Sequence, residues 1–73
     1  LDGGADGLHF YRRVISEAPG YLNPGGYLLL ELGDGQAEQV SALLPPVFSA
    51  PAVHRDLAGL PRALETRLSR GVD

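Results

Sequence analysis

Leu8, Tyr11, Ile15, Ala18 and Leu22 recur at spacings of three and four, which places them on one face of a helix. Phe10 and Val14 widen that stripe, while Arg12, Arg13 and Glu17 fall on the other side. Asp6, after the loop-like Gly3 and Gly4, is the expected N-cap, and Pro19-Gly20 is expected to end the helix in its last turn. Asn23-Pro24-Gly25-Gly26 is a turn, because proline presets φ and glycine accepts positive φ. Tyr27-Leu28-Leu29-Leu30-Glu31-Leu32 then runs apolar without alternation. Such a run reads as a strand buried on both faces, and it is expected to be the most buried strand of the chain. The glycines on either side leave too little length for a helix.

Asp34, in Gly33-Asp34-Gly35, is placed to cap a second helix carrying Ala37, Val40, Leu43 and Leu44 on one face, and Pro45-Pro46 stops it. Residues 48–55 form a weaker strand candidate, in which Pro51 marks an edge strand or a bulge. Asp56-Leu57-Ala58-Gly59-Leu60-Pro61 is a connection. Residues 62–68 alternate, with Leu64, Thr66 and Leu68 on one face and Glu65 and Arg67 on the other, and the tail from Ser69 is expected to fray. The order is helix, strand, helix, strand, strand. It predicts an α/β fold with a sheet covered on both faces and a terminal antiparallel hairpin.

Composition narrows the chemistry. With 73 residues and no Cys, the chain has no disulfide and no thiolate metal site, and two His alone do not make a structural zinc site. A domain of this size is marginal by itself, so a packed core or association with more protein must hold it. The net charge is -3 and all basic residues are Arg, which argues against nucleic-acid binding. The Lys-free, Ala-, Leu- and Gly-rich composition suggests a GC-rich bacterial genome. No apolar run is long enough to span a bilayer, and no basic segment precedes an apolar one near Leu1, so the expected location is the cytoplasm. A chain that begins at Leu1 rather than Met reads as a processed product, a fragment or a deliberately cut piece.

Three stretches, in order, carry a family resemblance. They are Leu1-Asp2-Gly3-Gly4-Ala5-Asp6-Gly7-Leu8 with Phe10-Tyr11-Arg12-Arg13; Leu22-Asn23-Pro24-Gly25-Gly26-Tyr27-Leu28-Leu29-Leu30-Glu31-Leu32-Gly33 with Gln36; and Asp56-Leu57-Ala58-Gly59 with Arg62. The chain resembles the C-terminal end of the HemK family, the release factor glutamine methyltransferases. The Pro-Gly-Gly turn before a leucine strand is common to class I methyltransferases generally; the other two stretches are more particular. Pro45-Pro46, Pro51 and the Ala63-Leu64 pair depart from the family pattern.

The resemblance implies that residues 1–73 are one partial domain, the C-terminal part of a Rossmann-like class I methyltransferase sheet. They would supply its fifth, sixth and seventh strands, the last antiparallel between the other two. It implies a parent enzyme that moves a methyl group from S-adenosylmethionine to a glutamine side chain of peptide-chain release factors. The Gly-rich cofactor loop and the Asn-Pro-Pro-Tyr motif of that family are not in this sequence. No catalytic, cofactor-binding or metal-ligating residue is therefore expected here, and no activity or bound cofactor for the chain alone.

Glu31 is the one candidate site residue. It ends a strand, and ligands of open α/β sheets gather at the carboxyl ends of strands, so it could border the crevice of the complete enzyme. The plainer reading is a carboxylate that accepts hydrogen bonds and organises the following loop. Gly33-Asp34-Gly35 lacks the rest of a dinucleotide fingerprint and reads as a strand-to-helix turn. His9 and His54 share no evident acid partner and read as structural, Arg12-Arg13 as a solvated helix face, and Arg62 as a partner of Asp56. Tyr11, Tyr21 and Tyr27 are expected to pack through their rings with hydroxyls at the surface. Two rival functions stay open: a segment of another class I methyltransferase acting on RNA, protein or a small molecule, and a stand-alone, non-enzymatic α/β dimerisation module. Self-association through residues 27–32 is expected if that strand has an open edge.

Overall fold

The computed structural model describes residues 7–71. Their order is α1 (His9–Tyr21), β1 (Tyr27–Glu31), α2 (Ala37–Ser41), β2 (Ala52–Arg55) and β3 (Pro61–Arg67), as the hydrophobic pattern predicts. The cap position of α1 is Leu8, with no side-chain cap, and Asp6 lies outside the described residues. Pro19 sits inside the last turn and does not break it; the helix closes with the Leu22 N–H on the Ala18 carbonyl at 3.0 Å. A proline there forfeits one intrahelical bond only, because the helix ends two residues later.

The sheet has three strands in the order β1-β3-β2, both pairings antiparallel. Tyr27 lies opposite Arg67 and Glu31 opposite Ala63, while Val53 lies opposite Leu64 on the other side. β2 is an edge strand that begins only after Pro51, with an irregularity between His54 and Arg55. Phe48 is separate from it and bridges to Leu68. Ser69, where fraying of the tail is expected to begin, is tied down: its N–H donates to the Val47 carbonyl at 2.8 Å, and residues 72 and 73 lie outside the described residues.

Side chains alternate across each strand. Leu30, Leu64 and Leu68 join Tyr11, Ile15 and Ala18 of α1, Val40 of α2, and Phe48 in a single apolar cluster. Val40 and Leu64 are wholly buried. Both helices thus contribute to the same core, and the opposite face of the sheet is open. This overturns the reading of residues 27–32 as doubly buried and as the most buried strand. Tyr27 is 62% and Leu29 64% exposed, and the most buried strand is β3, flanked on both edges.

The main-chain groups of β1 alternate in the same way. The Leu68 N–H donates to the Gly26 carbonyl at 2.8 Å and the Leu32 N–H to the Arg62 carbonyl at 2.9 Å. Residues of that parity, Leu28 and Leu30 among them, face β3. Tyr27, Leu29 and Glu31 direct their N–H and C=O groups to the other edge, where no strand lies among the described residues.

α2 is shorter than the apolar pattern predicts, and its cap position is Gln36 rather than Asp34. Leu43 and Leu44 follow in tighter turns, bonded to the Val40 and Ser41 carbonyls at 3.0 and 3.2 Å, yet still pack on the core. A residue before proline is kept out of the helical region, so Pro45-Pro46 cuts the helix early. No helix among the described residues is long and apolar enough to cross a membrane.

Candidate functional site

The carboxyl end of β1 gathers most of the specific polar contacts. Tyr11 projects from the buried face of α1, and its hydroxyl donates to the Glu31 carbonyl at 2.8 Å. The same oxygen accepts from the Gly33 N–H at 3.3 Å, and the Gln36 Oε1 accepts from it at 3.1 Å. The Gln36 amide nitrogen continues the chain of bonds to the Gly7 carbonyl at 3.4 Å. Gly33 leaves room for this contact, since a Cβ at that position would meet the Gln36 Oε1 at 2.6 Å and push that flexible side chain aside. The turn after β1 is therefore built from Tyr11, Gly33 and Gln36. The expectation that the Tyr11 hydroxyl lies at the surface is corrected: it spans from helix to strand end.

The β2–β3 connection lies at the same end of the sheet. Asp56 Oδ1 accepts from the Ala58 and Leu60 N–H groups at 2.9 and 3.0 Å, and Oδ2 from Arg62 Nε at 2.7 Å, the pairing expected from sequence. Gly59 takes φ +85°, and its carbonyl accepts from Arg55 Nη1 at 2.9 Å. The Arg62 hydrogen bond, backed by the Leu60 and Ala58 N–H groups, holds the Asp56 carboxyl below its usual range, and Asp56 in turn raises the Arg62 guanidinium. Arg62 also reaches Asp34 Oδ1 at 3.5 Å, linking the two turns.

Glu31 is exposed at the end of β1. Its carboxylate makes no hydrogen bond among the described residues; the loop is organised through its main-chain carbonyl instead. His54 pairs with Glu65 across the strands at 2.9 Å, and His9 starts α1 at the surface. Arg12 and Arg13 are exposed, with Arg13 bonded to Glu17 one turn on at 3.1 Å. Tyr27 lies exposed under the Arg67 guanidinium, 5.6 Å from the ring centre, and Tyr21 is exposed.

Every buried side-chain nitrogen and oxygen among the described residues already has a partner. The depression at this end, about 580 Å³ and bordered by Gly35, Glu38, Arg55 and Leu60, is open to solvent.

Comparison with known proteins places the chain. It is 40% identical over 99% of its length to a release factor glutamine methyltransferase of Thermodesulfovibrio yellowstonii. It is 46% identical over 92% of its length to the protein of that name in Bradyrhizobium diazoefficiens. The chain belongs to the release factor glutamine methyltransferase family. The Geobacter sulfurreducens methyltransferase is 68% identical over a shorter stretch, 55% of the chain. The chain spans only 26%, 23% and 14% of these three methyltransferases' own lengths. No family model and no solved structure matches it. Within this methyltransferase segment, the residues that carry the resemblance turn out to be builders: Gly33 and Gln36 shape one turn, and Asp56, Gly59 and Arg62 lock the other.

Proposed function

We propose that this chain is the C-terminal part of the catalytic domain of a cytoplasmic, bacterial, S-adenosylmethionine-dependent enzyme that methylates a glutamine in peptide-chain release factors. The 40% identity extending over 99% of the chain carries the reading. The three-stranded arrangement with β3 antiparallel at its centre agrees with the last strands of a Rossmann-like class I sheet. In that sheet β1 takes a fourth strand on its open edge, and Glu31, at its carboxyl end, borders the crevice. Residues 1–73 then act as one partial domain, a structural support for a site built upstream, and transfer no methyl group alone. Taken out of that setting, the chain self-associates through residues 27–32, because an edge of unpaired N–H and C=O groups is a template for another strand.

A chimera tests the parent function. This chain replaces the matched segment of the Thermodesulfovibrio yellowstonii methyltransferase, and transfer of labelled methyl to a release factor is measured. Retained transfer is expected. A soluble, folded chimera that binds the methyl donor but leaves the release factor unlabelled overturns the reading. The isolated chain is expected to show neither donor binding by calorimetry nor transfer above background, and either result would contradict the supporting role.

A further inference from the structure

Resting on the reading that an upstream strand of the same sheet fills the outer edge of β1, we propose that the Tyr11 hydroxyl ends that pairing. It stands where the upstream strand's next residue would be, and so sets the point at which the two strands part and the crevice opens. α1 lies directly before β1 and packs on one face of the sheet, which makes the upstream strand, α1 and β1 one crossover unit with its two strands parallel. Parallel ladder bonds are slanted: a residue of one strand gives its N–H to the carbonyl of residue i on its neighbour and accepts the N–H of residue i+2. On the outer edge of β1 those pairs are the Tyr27 carbonyl with the Leu29 N–H, the Leu29 carbonyl with the Glu31 N–H, and the Glu31 carbonyl with the Gly33 N–H. No strand among the described residues takes the first two. The third is filled from within the chain. The Tyr11 hydroxyl donates to the Glu31 carbonyl at 2.8 Å and accepts from the Gly33 N–H at 3.3 Å. One side-chain oxygen reproduces both bonds of a ladder residue.

The ending belongs to that edge alone. Toward β3 the pairing runs one residue further, with the Leu32 N–H on the Arg62 carbonyl at 2.9 Å. On the outer edge the Gly33 N–H is already shared, reaching the Gln36 Oε1 at 3.1 Å as well as Tyr11. Tyr11 is itself a member of the buried cluster, so packing fixes the place of its hydroxyl. An upstream strand that follows β1 as far as Leu30 must therefore turn aside at its next residue. Ligands of open α/β sheets gather at that end, outside the carboxyl ends of the strands. Tyr11 touches neither methyl donor nor acceptor. It is a positioning residue: it keeps the segment that follows the upstream strand out of the sheet and in the crevice where a release factor glutamine is methylated.

A crystal structure of the complete methyltransferase that carries this segment tests the pairing. The upstream strand is expected to bond the outward groups of Tyr27 and Leu29 and the Glu31 N–H, and to leave the Glu31 carbonyl to Tyr11. A main-chain N–H of the upstream strand on that carbonyl overturns the proposal. Transfer of labelled methyl to a release factor by the same enzyme tests the positioning. Tyr11→Phe removes one oxygen and frees the Glu31 and Gly33 groups, so the ladder can advance by a residue. Its kcat/KM is expected to fall by about tenfold or more, at a temperature where circular dichroism shows it folded, since a misplacement of about 1 Å can cost about 100-fold. Ser49→Ala is the control for stability alone: the Ser49 hydroxyl accepts the Arg67 N–H at 3.1 Å at the opposite end of the sheet. It is expected to lower the melting temperature and leave kcat/KM unchanged. A Tyr11→Phe enzyme that transfers as the natural one does overturns the positioning role. A natural enzyme that leaves the release factor unlabelled overturns instead the function on which this role rests, and the crystal structure still decides where the ladder ends.

Discussion

One hydroxyl ties α1 to the end of β1. Tyr11 gives its proton to the Glu31 carbonyl and takes the Gly33 N–H, so Tyr11→Phe deprives two main-chain groups of a partner. The loss expected is about 1–2 kcal/mol of unfolding free energy, from the worth of a part-buried hydrogen bond, and urea unfolding measures it. Gly33→Ala acts on the same turn by another route. The added Cβ displaces the Gln36 amide, so the bonds from Gly33 and to Gly7 go together, again at about 1–2 kcal/mol. Because the damage runs through Gln36, Gly33→Ala made on a Gln36→Ala background is expected to cost clearly less than on the natural chain, which a double-mutant cycle in urea checks. None of this was legible in sequence as chemistry. Gln36 entered only through a resemblance, and the Tyr11 bond crosses twenty residues, beyond any local pattern.

At the scale of elements, alternation was the informative signal. Leu64, Thr66 and Leu68 against Glu65 and Arg67 marked β3 and its inner face, and all three inner residues are buried. The run Leu28-Leu29-Leu30 was legible as a strand but not for its burial, since an apolar residue facing out looks the same in sequence as one facing in. The caps misled for a related reason: Asp34 fits a cap by type, but its carboxylate serves Arg62 in another turn. Leu64, wholly buried at the centre of the sheet, is the position where truncation hurts most. Leu64→Ala is expected to cost about 2–5 kcal/mol, enough to unfold much of a chain this small, as thermal melting by circular dichroism will show. The β2–β3 connection ties stability to acid. The Asp56 carboxyl, depressed in the folded chain by Arg62, stabilises fully above its ordinary value of 3.8, and that contribution fades as pH falls below it. Melting followed across that range is expected to be less pH-dependent for Asp56→Asn than for the natural chain.

For the molecule as a whole, protection is expected to be graded across the sheet. Amides of β3 facing either neighbour, such as Leu64 and Glu65, should exchange slowest. Those of Tyr27 and Leu29 should exchange fast in dilute solution and slow down as concentration rises. Hydrogen exchange at two concentrations reads this directly, and fast exchange at Tyr27 that ignores concentration would speak against an edge filled by a second copy.

The strand at the middle of the sheet is also the one synthesised after its two neighbours. Among the described residues β1 pairs with β3 alone, Tyr27 with Arg67, so while a ribosome is still making residues 28–60 the leucine run has no strand of this segment to pair with. Nor does β2 have one, since its ladder runs to the same strand. The pairing of these three strands therefore closes in a single late event, with a long loop to gather, and until then the edge of the leucine-rich strand that will meet β3 stands open to passing chains.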